Sequence, residues 1–188
     1  MDPIYIPGFI PDLGIGQLLN EIGWEKPHTR QEAFQSDPVR SYIYGSGRGV
    51  RTYTSTVYQG LVKDIMERVN EFIGIEHGWA AVNGCFLRPY EGASQHLGWH
   101  ADNFVDMDPL TCIAALSFGQ AREIWWRPFG FKGEIPASQR QLLEHGSLFL
   151  MRPGMQKTHE HRIPKGDREM GLRVSLTYRR LNWRADAS

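Results

Sequence analysis

Residues 173–179 read Arg173-Val174-Ser175-Leu176-Thr177-Tyr178-Arg179. Alternate side chains of an extended strand share a face, so Val174, Leu176 and Tyr178 make an apolar side. Arg173, Ser175, Thr177 and Arg179 make a polar side with a permanent cation at each end. A strand solvated on one side can alternate in this way, but in a small barrel the inner face is the one that holds a ligand. The same texture runs upstream. From residue 81 onward the chain breaks into strand-like runs at 82–90, 96–102, 111–118, 122–129, 147–152, 158–163 and 173–181, with Gly, Pro and Asp turns at 91–94, 106–109, 130–136 and 153–154. Seven short strands at close spacing, without a long helical pattern among them, predict a sandwich or jelly-roll barrel.

The N-terminal third reads differently. Residues 11–23 predict a short amphipathic helix with Leu18, Leu19 and Ile22 on one face, closed by Gly23. Residues 57–73 predict a longer one, in which Leu61, Ile65, Val69 and Phe72/Ile73 recur at helical spacing behind the N-cap candidates Ser55 and Thr56. Between them, Arg40 to Gly47 and Arg51 to Tyr53 alternate aromatic and polar residues around a glycine-rich turn, the pattern of a β-hairpin. No repeat, low-complexity tract or linker divides the chain. The 188 residues are therefore expected to form one mainly β (α+β) domain, with 1–80 as helical leader and ribbon and 81–181 as the β core.

Composition narrows the class. At 41% hydrophobic the chain can fill a core, and no apolar run approaches the roughly 20 residues of a membrane span. Met1-Asp2-Pro3 lacks the basic and apolar start of a secretory signal, so a monomeric, cytoplasmic protein without membrane association is expected. Cys85 and Cys112, each in an apolar stretch, read as packing residues. The 21 basic and 21 acidic side chains cancel, which argues against a polynucleotide partner until the charges are located. Residues 160–188 hold seven Lys/Arg against four acids, and the ribbon 38–54 has Arg40, Arg48 and Arg51 with no acid. Local basic surface exists, and it is thin, so modest and salt-sensitive nucleic-acid affinity is expected.

Four of the seven histidines fall in two tight sets: His96 and His100, with Asp102 two positions on, and His159 with His161. On a strand His100 and Asp102 share a face, so an imidazole and a carboxylate enter one space. A third ligand from a distant strand would complete a 2-His-1-carboxylate site, whose open positions suit Fe(II) activating O2 with a bidentate co-substrate. One His-x-Asp is common by chance. Two inward arginines raise its weight, because guanidinium forks bind carboxylates and a dicarboxylic oxo-acid could chelate the iron at its other end.

Six blocks follow one another: Leu87-Arg88-Pro89-Tyr90, His100-Ala101-Asp102, Ile113-Ala114-Ala115-Leu116-Ser117-Phe118-Gly119, the run 142–151 around Glu144-His145-Gly146-Ser147, His161-Arg162-Ile163-Pro164, and Arg173 with Arg179. In order and spacing they resemble the AlkB-type branch of the Fe(II)/2-oxoglutarate-dependent dioxygenases, over about half the chain. The N-terminal helix and the Arg40–Tyr53 ribbon resemble that family's leader helix and nucleotide-recognition lid more loosely. The resemblance implies a double-stranded β-helix (jelly-roll) core, with Fe(II), 2-oxoglutarate and O2 as cofactor and co-substrates. It implies His100, Asp102 and His161 as iron ligands, and Arg173 as the anchor of the distal carboxylate, with Arg179 and Tyr90 assisting. His161 is preferred to His159 because the family ligand precedes a short turn such as Arg162-Ile163-Pro164. His96 is left as a pocket-wall candidate, and His145 reads as a structural hydrogen-bonding residue.

The implied activity is oxidative dealkylation of N-alkylated bases in single-stranded or locally opened DNA or RNA, releasing succinate, CO2 and an aldehyde. Candidate base-stacking and substrate residues are Tyr42, Tyr44, Tyr53, Trp99, Trp125, Trp126, Phe104 and Arg40, with core packing as the competing role of the aromatics. Trp125 and Trp126 cannot both face one side of a strand. Three departures from the family pattern bear on the co-substrate and substrate. Arg88 stands where the family carries Asn, and often Asn where Ser175 stands; both are kept as co-substrate candidates, with Arg88 alternatively pointing outward. Phe104 falls where DNA-repair members commonly have an acid. A hydroxylase of the same fold acting on a protein side chain, a modified base or a small molecule is the rival expectation.

Overall fold

The computed structural model describes residues 1–22, 24, 31–44, 51–102, 107–108, 110–166 and 170–182; of residues 42–44 and 51 it describes the backbone. In chain order the elements are β1 (Ile4–Ile6), α1 (Ile15–Glu21), β2 (Ala33–Ser36), β3 (Ser41–Tyr44), β4 (Arg51–Thr54), α2 (Gly60–His77), β5 (Gly84–Glu91), β6 (Leu97–His100), β7 (Ile113–Gly119), β8 (Arg122–Pro128), β9 (Arg140–Leu143), β10 (Ser147–Met151), β11 (His159–Ile163) and β12 (Leu172–Arg179). They build a six-stranded sheet in the order β1-β10-β7-β12-β5-β2, a four-stranded sheet β6-β11-β8-β9, and the separate hairpin β3-β4. Every strand pair within the sheets is antiparallel. The protein is thus mainly β with two helices among the described residues, as a jelly roll requires.

The alternation of β12 decides which layer is which. Val174, Leu176 and Tyr178 join Cys85, Leu87, Leu116 and Phe118 of the neighbouring strands and the α2 stripe Val62, Ile65, Val69 and Ile73 in one apolar layer. The Tyr178 hydroxyl crosses that layer and donates to the Val62 carbonyl at 2.9 Å. Each fully buried aliphatic side chain there contributes about 1.5–3 kcal/mol, so the helices are held by this face rather than by their own propensity. On the other face Tyr90, Ile113, Ala115, Phe149 and Met151 meet Ile124, Trp126, Leu143 and Ile163 of the small sheet. The polar side of β12 is lodged between the two sheets. Cys85 and Cys112 are fully buried, and burial pushes the Cys112 thiol up to about 11, so both pack as expected.

Three differences from the sequence reading have local causes. α2 begins after Gln59, four residues beyond Ser55, and ends where Gly78 adopts a left-handed φ of 64°. Ser55 is diverted: its Oγ accepts from the Arg40 N–H at 2.9 Å and from the Ser36 Oγ at 2.6 Å, tying the foot of the hairpin to β2. α1 covers only Ile15–Glu21 of the expected 11–23. Finally β1, β2 and β9, at three or four residues each, carry no readable alternation; all three are edge strands, where pairing on one side suffices. No helix among the described residues is long and apolar enough to cross a membrane.

Candidate active site

β6 and β11 lie side by side in the small sheet and set His100 directly opposite His161, with ring centroids 4.2 Å apart and planes at 50°. Asp102 follows just beyond the end of β6 and keeps the face of His100. These three residues offer one ligand atom each, all within 4.8 Å of one another. His159, two residues up the same strand, is not among them; its Nδ1 is 2.7 Å from the Thr158 hydroxyl.

The surroundings fix the state of each group. The Nδ1 of His100 lies 2.8 Å from the Gly98 carbonyl, an acceptor only, so Nδ1–H donates and Nε2 is turned toward Asp102. Burial, reinforced by the neighbouring His100, pushes the His161 pKa down to about 3 against the opposing pull of Asp102, leaving a neutral imidazole. Asp102 is 1% exposed, and burial alone would raise its pKa. Arg179, with His161 and His100, overrides that and holds the carboxyl well below the usual carboxylate range. Arg179 donates to Asp102 Oδ2 twice, from Nη2 at 2.6 Å and Nε at 2.9 Å. The Asp102 N–H donates to Gln156 Oε1 at 2.8 Å. Asp102 Oδ1 is buried, with no hydrogen-bond donor among the described residues, 3.7 Å from His100 Nε2. A fixed anion with one open oxygen, beside two imidazoles of which His161 is held neutral by burial, is the donor set that fits a divalent iron and leaves further positions open.

A second feature sits deeper on the large sheet. Arg173 pairs with Tyr90 and Gly119 and is 1% exposed. Its Nη2 donates to Ser117 Oγ at 2.8 Å and its guanidinium lies 5.0 Å from the centre of the Tyr90 ring, while Nε and Nη1 meet no acceptor among the described residues. A buried cation with unspent donors is a seat for a carboxylate, because leaving those N–H groups unpaired is costly. Ser175 shares this inner face, opposite Ser117 and Arg88.

The remaining sequence candidates divide. Arg179 faces inward with Arg173, but the structure commits its fork to Asp102 rather than to the same anion as Arg173. Arg88 also faces inward and forms a 3.1 Å ion pair with the buried Glu32, so its charge is matched within the protein. Trp99 lies outside the site. Being adjacent to His100 it takes the opposite face, where Arg127 lies 4.0 Å and Arg162 5.4 Å from the centre of its ring. Arg162 and Arg140 in turn sit 4.5 and 4.6 Å from the ring of Trp125, so a cation–aromatic ladder crosses the outer side of the small sheet. Trp126 points inward opposite His161, buried, with no acceptor for its indole N–H among the described residues. Tyr53 of the hairpin packs edge-on against Phe86 of β5, ring centroids 5.4 Å apart. Arg40 is exposed at the foot of that hairpin. The side chains of Tyr42 and Tyr44, and the whole of Phe104, lie outside the described residues. The Nδ1 of His96 contacts the Ser94 carbonyl within its own turn. His145 is structural, accepting from the Gly119 N–H at 2.9 Å, with Nε2 3.2 Å from the Pro11 carbonyl.

Sequence reading missed Glu32, Ser117, Arg122 and Gln156. Two of them carried a signal. Ser117 interrupts an apolar strand at an inward position, and Arg122 shares the parity of the buried Ile124 and Trp126. Glu32 precedes a strand too short to read, and Gln156 stands in a single helical turn, Met155–Lys157, so neither had one.

Comparison with known proteins agrees with this geometry. The family described as the 2OG-Fe(II) oxygenase superfamily matches residues 4–182. DNA oxidative demethylase ALKBH2 of Arabidopsis thaliana is 26% identical over 95% of this chain and 66% of its own length, and its Mus musculus counterpart is 28% identical over 81% and 62%. Alpha-ketoglutarate-dependent dioxygenase alkB homolog 3 of Homo sapiens is 24% identical over 92% of the chain and 64% of its own length. The chain spans just under two thirds of the length of these relatives, and the family match, over residues 4–182, takes in both sheets and the His100, Asp102 and His161 positions. This protein belongs to the 2OG-Fe(II) oxygenase superfamily, on its AlkB-type branch.

Proposed function

We propose that residues 1–188 act as one dioxygenase domain that uses Fe(II), 2-oxoglutarate and O2 to remove alkyl groups oxidatively from N-alkylated bases in DNA or RNA. The observation that carries this reading is the convergence of His100, Asp102 and His161 within 4.8 Å, beside an arginine with two unspent buried donors. The names of the relatives, DNA oxidative demethylases in two organisms, support the nucleic-acid substrate.

Each residue has a task on this reading. His100 Nε2, Asp102 Oδ1 and His161 hold the metal, the first oriented by the Gly98 carbonyl and the second by Arg179 and Gln156. Bound iron with O2 and 2-oxoglutarate supplies the oxidation: one oxygen atom enters the alkyl C–H bond and the other enters succinate as CO2 leaves, after which the hydroxylated N-alkyl group departs as an aldehyde. Arg173 takes the distal carboxylate through Nε and Nη1, over the Tyr90 ring, with Ser175 beside it on the same face. Trp126 and the apolar residues between the sheets keep water out, which strengthens every charge interaction inside. The hairpin β3-β4 serves as the nucleotide-recognition lid: Tyr53 anchors it on Phe86 at the inner face of β5, and Arg40 offers a phosphate contact at its foot.

The test is mass spectrometry of alkylated oligonucleotides incubated with the protein, iron, ascorbate and 2-oxoglutarate, with succinate measured in parallel. Loss of the alkyl group matched by succinate is expected, abolished in H161A and retained in H159A. Absence of succinate over oligonucleotides, proteins and small molecules overturns the enzyme, and succinate formed only with a protein or small molecule overturns the substrate class. Loss in H159A alone overturns the ligand assignment.

A further inference from the structure

Arg122 starts β8 on the inward parity, with Ile124 and Trp126, and is as deeply buried as Arg173. Its donors are taken by three backbone carbonyls: Gly92 at 3.2 Å from Nη1, and Gln95 at 2.9 Å and Pro164 at 2.8 Å from Nη2. Carbonyls satisfy hydrogen bonds but carry no net charge, so a whole positive charge is left in the interior. It shares the Tyr90 ring with Arg173: the two guanidinium carbons lie 5.8 and 5.0 Å from that ring's centre. Among the described residues neither arginine takes a carboxylate, whereas the other two inward arginines of the large sheet each have one, Arg88 with Glu32 and Arg179 with Asp102. After burial, the charge of Arg122 is among the causes that hold the Arg173 pKa below its ordinary value.

Two buried cations around one aromatic ring repel each other, and the repulsion is relieved only by an anion. Resting on the co-substrate reading above, we propose that Arg122 is a specificity-determining residue of the co-substrate site: it makes no hydrogen bond to the ligand, but its charge adds to that of Arg173 and favours a dicarboxylate 2-oxo acid over a monocarboxylate one. Arg173 supplies direction through its free N–H groups, and Arg122 supplies field. The arrangement also keeps Arg122 in place when the site is empty, because its donors never depend on the ligand.

The carbonyl bonds of Arg122 tie down residues 92–95, which lead into β6, and Pro164, which follows β11, so a structural loss must be separated from a loss of charge. Calorimetry of the Mn(II)-loaded full chain with 2-oxoglutarate and with 2-oxobutyrate, which lacks the distal carboxylate, separates them. Removing one charge at this depth in R122Q is expected to weaken 2-oxoglutarate binding roughly ten- to fifty-fold, and 2-oxobutyrate binding by a clearly smaller factor. R122K, with the charge but not the fork, is expected to recover most of the 2-oxoglutarate affinity while remaining less stable to heat. Unchanged 2-oxoglutarate affinity in folded R122Q, equal losses for both acids, or an R122K that is folded but as weak as R122Q overturns the proposal. Should R122Q not fold, R122K alone decides, since a charge role requires it to bind 2-oxoglutarate nearly as the wild type does. A wild-type protein that binds no 2-oxoglutarate overturns the co-substrate reading itself, a result distinct from these.

Discussion

Replacing Arg179 by Met removes two donors from Asp102 Oδ2 while keeping most of the side-chain volume. What remains is a carboxylate 1% exposed, next to two imidazoles of which His161 is held neutral by burial. Breaking a buried pair by deleting one partner costs about 3–5 kcal/mol, since the surviving charge keeps its desolvation penalty. For a domain of this size each kcal/mol moves the melting temperature by about 2–4 °C, so the metal-free R179M protein is expected to melt roughly 6–20 °C below the wild type. A divalent cation beside Asp102 Oδ1 restores the missing positive charge, so Mn(II) should raise the variant's melting temperature more than the wild type's and narrow the gap. Thermal unfolding followed by circular dichroism, after chelation and again with saturating Mn(II), measures both terms. A metal-free loss of less than about 2 °C, or a gap that metal leaves unchanged, refutes the reasoning that Arg179 exists to neutralise and orient the carboxylate ligand.

Two further outcomes follow from the same geometry. The folded pKa of His161, about 3, lies below the 6.5 of an unfolded histidine, so below pH 6.5 the unfolded chain binds a proton that the folded one refuses; the metal-free protein loses stability as the pH falls, by about 2 kcal/mol at pH 5. Asp102, also depressed, adds to that loss only below the ordinary carboxylate range, so urea unfolding at pH 7 and pH 5 should show the slope in wild type and a flatter one in H161Q, and equal slopes count against it. W99A removes the ring lodged by Arg127 and Arg162 from an edge strand paired only with β11; a loss of about 1–3 kcal/mol is expected, with metal affinity falling more than 2-oxoglutarate affinity in competition titrations. Undiminished metal affinity in W99A would mean that the ladder does not steady His100.

The parts of the fold that local periodicity encodes were legible. The two faces of β12 and the stripe of α2 follow from spacing alone, and both lie where that spacing puts them. The same rule separates neighbours: with His100 facing the cluster, Trp99 one residue earlier must face away, and it does. Charge partners were not legible, because they are tertiary. Arg88 meets Glu32 across 56 positions and Arg179 meets Asp102 across 77, and nothing local announces that one inward arginine is matched while another is left for a ligand. Gln156 is the extreme case, a side chain in one short turn that holds the backbone of a metal-ligand candidate 54 residues away. The edge strands escaped for a different reason, since three or four residues with one paired side need no pattern.

β12 follows β5 and β7 in the chain yet lies between them, and those two strands are not paired with each other. Until β12 inserts, the large sheet is two fragments, β2-β5 and β1-β10-β7, each with an unsatisfied edge and a long loop still to be closed. Assembly of the sheet and delivery of Arg173 and Arg179 are therefore one event in the life of the molecule. A chain that stalls before this strand docks is open-edged and prone to aggregate, while a chain that completes the sheet already has Arg173 opposite Tyr90 and Arg179 opposite Gly84. Quality control by chaperones and proteases, which reads exposed edges and apolar surface, thereby screens for an equipped site without ever sensing its chemistry.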